Sequence, residues 1–152
     1  MRCVVQRSGP ARVDIDGETV GAIDRGLVVL AAFADTDTVQ ELTWMARKLV
    51  DLRIFNDEHG KMNLSLRDVG GGILLVSQFT LYGNCRKGNR PSYVGSANPE
   101  LAASLYAQFG ELLRAQWPTV AEGRFQATMD VSLINLGPVT LILDREAPEA
   151  SS

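Results

Sequence analysis

The chain has 152 residues, 45% of them hydrophobic, and a formal net charge of −3. That length predicts one domain able to bury roughly 68–70% of its unfolded surface without disulfides or a metal. The charge excludes a global positive field of the kind that marks nucleic-acid binders, and Cys3 and Cys85 fit neither a metal spacing nor a C-x-x-C pair, which points to a reducing compartment.

Residues 2–6 form the first expected strand. The apolar part of this start is too short for a signal peptide, and no apolar run approaches a membrane span, so the chain reads as soluble and cytoplasmic. Val13, Ile15 and Gly17 alternate with Asp14 and Asp16, and the Asp16-Gly17 pair suits a tight hairpin turn into a strand at 18–23. Gly26 breaks the chain before 27–33, a continuous apolar run expected to be buried on both faces. From Thr38 the period changes to 3–4 (Val39, Leu42, Ala46, Leu49), and Thr38 with Glu41 makes a capping box, which predicts a helix over 38–52. A turn at 56–60 and a variable segment lead through Gly70-Gly71-Gly72 to a strand over 73–81, followed by a polar loop. Asn98 as cap and Pro99 at the first position open a second helix, with Leu101, Leu105, Phe109, Leu112 and Leu113 as its inner stripe. Two last strands, 129–135 and 139–143, flank "NLGP". The fold class is α+β: one domain over residues 1–144, built as a curved antiparallel sheet or barrel with two main helices outside, and a disordered tail over 145–152.

The strand 73–81 ends unusually, in "SQFTLYG". Alternation puts Gln78, Thr80 and Tyr82 on one face and Ser77, Phe79 and Leu81 on the other. The residues alone leave two readings open: polar groups that satisfy a strand end, or a site awaiting a ligand. His59 is the single histidine and sits in a turn beside Asp57 and Glu58, so a Ser-His-Asp arrangement requires His59 to reach this strand. No H-E-x-x-H or paired cysteines are present, so no metal and no cofactor is expected. The triple glycine lacks the Lys-Ser/Thr of a phosphate loop and precedes a strand.

"SQFTLYG", together with "RIFND", "GKMNLSL", "RKGNRPS", "GRF" and "NLGPVT", resembles the D-aminoacyl-tRNA deacylases of the bacterial and eukaryotic type, over essentially the whole chain. The resemblance implies a homodimeric ester hydrolase that acts at the 3′ end of tRNA, releasing D-amino acids and also glycine from mischarged tRNA(Ala), with proofreading by rejection of L-aminoacyl groups. It further implies that Ser77, Gln78, Phe79 and Thr80 form the catalytic strand, and that Gly137-Pro138, with a cis peptide bond, enters the partner's pocket. Met129 matches a position near the site, and Arg7 the arginine that supports the Gly-Pro loop. Members often carry an acidic residue before the Gly-Pro pair; this chain has Leu136. The substrate's own 2′-hydroxyl would stand in for the missing base, with amides near Phe79 and Thr80 as oxyanion donors and Thr80 orienting rather than attacking. Arg86, Lys87 and Arg90, beside this strand, are candidate tRNA contacts. An RNA-end binding module without turnover and a threonine-dependent hydrolase of small esters are the competing classes.

Overall fold

The computed structural model describes residues 1–148 and builds them around one long strand, β1 (Arg2–Ile15), whose Cys3, Val5, Ala11 and Val13 are buried. Turning at Asp16-Gly17, the chain pairs β2 (Glu18–Ile23) with the second half of β1, and β3 (Gly26–Ala32) with its first half. The last strand, β8 (Asp130–Asp144), runs antiparallel along the other edge of β1 from Asp14 to Arg2. The two strands expected at each end of the chain are therefore single long ones. The pairing slips twice: Gly9-Pro10 of β1 lies opposite Ile134, and the stretch of β8 that holds Gly137-Pro138 lies opposite Arg7. Proline has no N–H for a ladder and is tolerated at such an irregularity.

The sheet is mixed, not antiparallel as the sequence reading has it. β6 (Gly72–Ser77) runs parallel to β3, and β7 (Val120–Glu122) parallel to β6. Each parallel step needs a long return, and the two main helices supply it: α1 (Val39–Asp51) between β3 and β6, and α3 (Pro99–Gln116) between β6 and β7. The order β2-β1-β3-β6-β7 nearly closes on itself, because Gly21 of β2 lies against the Glu122 carbonyl of β7. A side chain at position 21 would collide with that carbonyl, so only glycine allows the approach. A small hairpin, β4 (Phe55–Asn56) with β5 (Met62–Leu64), carries His59 in its turn. The short helix α2 (Leu66–Val69) follows, capped by Ser65 with Asp68. The sequence reading left this segment unassigned.

Both helices cover one face of the sheet. Leu42, Met45, Ala46 and Leu49 of α1 and Leu105, Phe109 and Leu113 of α3 join Val5, Val29, Ile73 and Leu75 in the larger core. Val13, Val28, Leu74 and Val76 fill the inside of the barrel. Strands β3 and β6 thus have apolar side chains on both faces, as the unbroken run at 27–33 predicts. The expected domain boundary at 144 falls at the end of β8. Arg145 donates its backbone N–H to the Met1 carbonyl, and the Met1 ammonium donates to the Arg145 carbonyl and to buried Asp37. Of the tail expected from residue 145, positions 149–152 lie outside the described residues.

The capping box at the start of α1 forms as expected. Glu41 accepts from the Thr38 N–H (2.8 Å) and hydroxyl (2.6 Å), and the Thr38 hydroxyl accepts from the Gln40 N–H. Glu41 is buried, and its other carboxylate oxygen has no partner among the described residues, so the two Thr38 bonds hold its charge. Thr38→Ala is expected to lower unfolding free energy by about 1–2 kcal/mol, read from the urea midpoint at constant slope.

Candidate active site

The polar end of β6 opens a cleft because the strand stops. Ser77 is the last residue paired with β3, opposite Ala31, and the Gln78 N–H still donates to the Ala31 carbonyl at 2.8 Å. The strand expected to continue to residue 81 instead becomes a single 3₁₀ turn over Phe79–Tyr82. β3 has no more partner groups to offer beyond Ala32, and the chain closes on itself with Leu81 N–H to Gln78 carbonyl and Gly83 N–H to Thr80 carbonyl. The two-face alternation expected for 77–82 is thereby lost. Gln78 and Thr80 nevertheless meet, the Gln78 amide donating to the Thr80 hydroxyl at 2.5 Å. The N–H groups of Phe79 and Thr80 start the turn, which offers them no acceptor of its own.

Ser77, Gln78 and Phe79 line a cleft of about 640 Å³, closed by Pro99 at the start of α3 and by Phe125, Gln126 and Ala127 from the β7–β8 connection. None of these side chains titrates. Tyr82, at the end of the turn, has its phenol pushed up, first by burial and then by the charge of Asp37, so it stays protonated and is no base. His59 is exposed in its hairpin turn beside Glu58 and does not line the cleft. Phe79 is 55% exposed at the mouth and meets the ring of Tyr93 edge-on at 5.1 Å between centroids.

Met129 is not among the residues that line the cleft; its sulfur accepts from the Arg124 N–H at 3.4 Å and fills the space in front of Gly123. The lining residues Pro99, Phe125, Gln126 and Ala127 are ones that sequence reasoning did not assign to the site. Pro99 was read as a helix start, and "GRF" flagged Phe125 only as a motif. Nothing in the sequence marks Gln126, which takes up a left-handed conformation (φ 64°).

The Gly137-Pro138 turn, whose peptide bond is cis, does not line the cleft of its own chain. Arg7 holds it: the guanidinium Nε donates to the Leu136 carbonyl at 3.1 Å, and Nη1 to the Ile54 carbonyl and to Asn56 at 3.0 and 3.1 Å. Asn135 ties the far side, accepting from the Val139 N–H and donating to the Thr140 hydroxyl. Leu136, where the resemblance leads one to expect an acid, is 38% exposed and contributes through its carbonyl. With Ile134 and Ile142 it makes β8 an apolar outer surface. Arg86, Lys87 and Arg90 sit on an exposed loop whose base is pinned by paired backbone bonds between Asn84 and Ser92, one residue from Tyr93.

The sequence profile of the family described as D-Tyr-tRNA(Tyr) deacylase matches residues 4–144. A D-aminoacyl-tRNA deacylase of Desulfatibacillum aliphaticivorans is 56% identical over 95% of this chain and 99% of its own, and one of Thermus aquaticus is 54% identical over 95% of each. Among solved structures, a c-Myc DNA unwinding element binding protein superposes with a TM-score of 0.91 at 41% identity, over 97% of this chain and 100% of its own. A probable eukaryotic D-amino acid tRNA deacylase superposes with a TM-score of 0.82 at 20% identity, over 95% of this chain and 98% of its own, a likeness of fold. Sequence similarity of this extent on both lengths settles the family, and the chain belongs to the D-Tyr-tRNA(Tyr) deacylases.

Proposed function

We propose that this chain hydrolyses the ester bond of D-aminoacyl-tRNA, releasing a free D-amino acid and tRNA. The observation that carries the reading is a cleft lined by Ser77 and Gln78 among apolar residues, beside a turn with free starting amides, and with no titratable side chain in its lining. The chain's own lining supplies no acid or base for proton transfer, and an aminoacyl ester on a terminal ribose brings a vicinal hydroxyl. Water adds to the ester carbonyl and the bond to the ribose oxygen breaks. The 2′-hydroxyl relays the proton from water to the departing oxygen, while the Phe79 and Thr80 N–H groups face the oxyanion. Thr80, already accepting from Gln78, has no adjacent base and orients.

The same reading makes the enzyme a homodimer. The exposed apolar residues of β8 suit a two-fold contact, and Gly137-Pro138, outside its own chain's cleft, would wall the partner's cleft. With carbonyl and amine held, exchange of D for L swaps hydrogen and side chain. A backbone wall on the L side rejects every L residue without reading it, and glycine passes because it has no side chain to exclude.

The test compares D-Tyr-tRNA, L-Tyr-tRNA and Gly-tRNA(Ala) under exhaustive chelation at constant ionic strength. Turnover of the first and third but not the second is expected; L-Tyr-tRNA cleavage, or zinc-specific rescue of a chelated enzyme, overturns it. A second reading, a nucleic-acid binding module without turnover, is favoured by the DNA-binding name of one similar structure and by the basic loop. It predicts tRNA retention with no amino acid released from any of the three. In either case, replacing Arg86, Lys87 and Arg90 with alanine is expected to weaken tRNA binding and flatten its salt dependence without changing D/L selectivity, measured by filter binding across a salt series.

A further inference from the structure

A second concentration of positive charge lies on the outer face of α1. Trp44, Arg47, Lys48 and Asp51 follow one another at helical spacing, on the face away from the buried Leu42, Met45 and Leu49. With Arg53 and Arg145 they border a groove of about 700 Å³. None of the four cations in it is ion-paired among the described residues. Asp51, its single acidic residue, is taken from outside by Arg67 at 2.7 Å. Lys48 and Arg145 lie over the Trp44 ring, 5.1 and 5.3 Å from its centroid, so their charges are gathered at the aromatic floor. Four cations around one carboxylate, itself bonded to Arg67, give this groove a local positive field in a protein whose net charge is −3, and such a field favours an anion.

We propose that this groove binds the phosphodiester backbone of the tRNA stem, beyond the 3′ end that the cleft takes; the inference rests on the deacylase reading for its choice of nucleic acid. Two features favour a phosphate backbone over an acidic peptide. Three of the four cations are arginines, whose planar fork matches phosphate oxygens in pairs. The groove is also linked to the Gly137 turn through its rim: Arg53 precedes Ile54, whose carbonyl accepts from Arg7, and the same guanidinium donates to the Leu136 carbonyl.

The test uses the full chain with Arg47→Glu and Lys48→Glu together, both exposed on α1 and away from the cleft and the Gly137 turn. Uncharged tRNA is expected to bind about tenfold more weakly near ~100 mM salt, with the log–log salt slope shallower by roughly 1.5. Hydrolysis of 3′-O-(D-tyrosyl)adenosine, which has no stem, should be unchanged while KM for D-Tyr-tRNA rises. Direct occupancy is read from fluorescence: tRNA should quench the wild type and not Trp44→Phe, which retains only Trp117, bonded to the Gly71 carbonyl elsewhere. Arg47→Gln with Lys48→Gln should give an intermediate slope. Unaltered tRNA affinity and slope in the Glu variant overturn the proposal, as does tRNA binding that polyglutamate displaces but the substitutions do not affect. Because the binding arm uses uncharged tRNA, it reads the groove even if the wild type hydrolyses no D-aminoacyl ester, the result that would sink the deacylase reading instead.

Discussion

Replacing Gly137 with alanine is expected to lower kcat/KM on D-Tyr-tRNA on the order of a hundredfold in a chain that still folds. The residue holds φ at +116°, a conformation that side chains rarely adopt, and a Cβ there would stand 2.7 Å from Arg7 Nη2 and 3.0 Å from a Val139 methyl. Neither neighbour is free to retreat. Val139 packs on the core, and Arg7 is spread between Leu136, Ile54 and Asn56. The strain is relieved most readily by moving the turn, and a displacement of about 1 Å in a group that positions substrate is enough for a loss of this size. The rest of β8 keeps its pairing with β1, so circular dichroism and gel-filtration behaviour should match the wild type. A variant that retains more than half the wild-type kcat/KM would remove the turn from the site.

D-Tyr-tRNA ending in 2′-deoxyadenosine is expected to be hydrolysed some 10²–10⁴-fold more slowly than the normal substrate, the range that one positioned proton-transfer group supplies. Thr80→Ala, by contrast, should cost less than about tenfold and yield no trapped acyl-enzyme. The contrast follows from the cleft itself, whose lining residues carry no acid or base, and from the Thr80 hydroxyl, which already accepts from Gln78. Single-turnover rates at saturating enzyme separate chemistry from binding. Equal rates on the two tRNAs, or a stoichiometric adduct on Thr80, would transfer the chemistry from the ribose to the protein.

Much of the fold was legible because local signals agree with the packing. Thr38 and Glu41 announce α1, Asn98-Pro99 announces α3, and the unbroken run at 27–33 declares a strand covered on both faces. Strand direction was not legible: parallel and antiparallel partners use the same apolar residues, and only the path of α1 and α3 between β3, β6 and β7 decides it. The unity of β1 and β8 was hidden for a related reason. The stretch between the strands expected at 129–135 and 139–143, which holds Gly137-Pro138, is a register slip within one strand and not a break. At the site, Ser77–Thr80 stood out as polar residues after an apolar run. The end of β6 at Ser77 did not, since it depends on where β3 runs out. The groove on α1 was invisible in the same way. Only the fold brings Arg53 and Arg145 beside Trp44, Arg47 and Lys48 on the outer face of α1.

The pairing of β1 with β8 along nearly their whole lengths bears on how the protein is made. Synthesis at roughly 5–20 residues per second leaves an interval of roughly 6–25 seconds between completion of the first strand and of the last. For that time one edge of β1 has open N–H and C=O groups and no native neighbour, beside the apolar side chains that will become the core. Local helices can form on the ribosome, but the barrel closes only with the final residues of β8, so the nascent chain gains most of its order in one late step. A chain that stalls before residue 130 lacks the strand that seals β1. Such fragments should be clients of chaperones and proteases, not partly active enzymes, and the ribosome-bound chain should stay protease-sensitive until β8 has emerged.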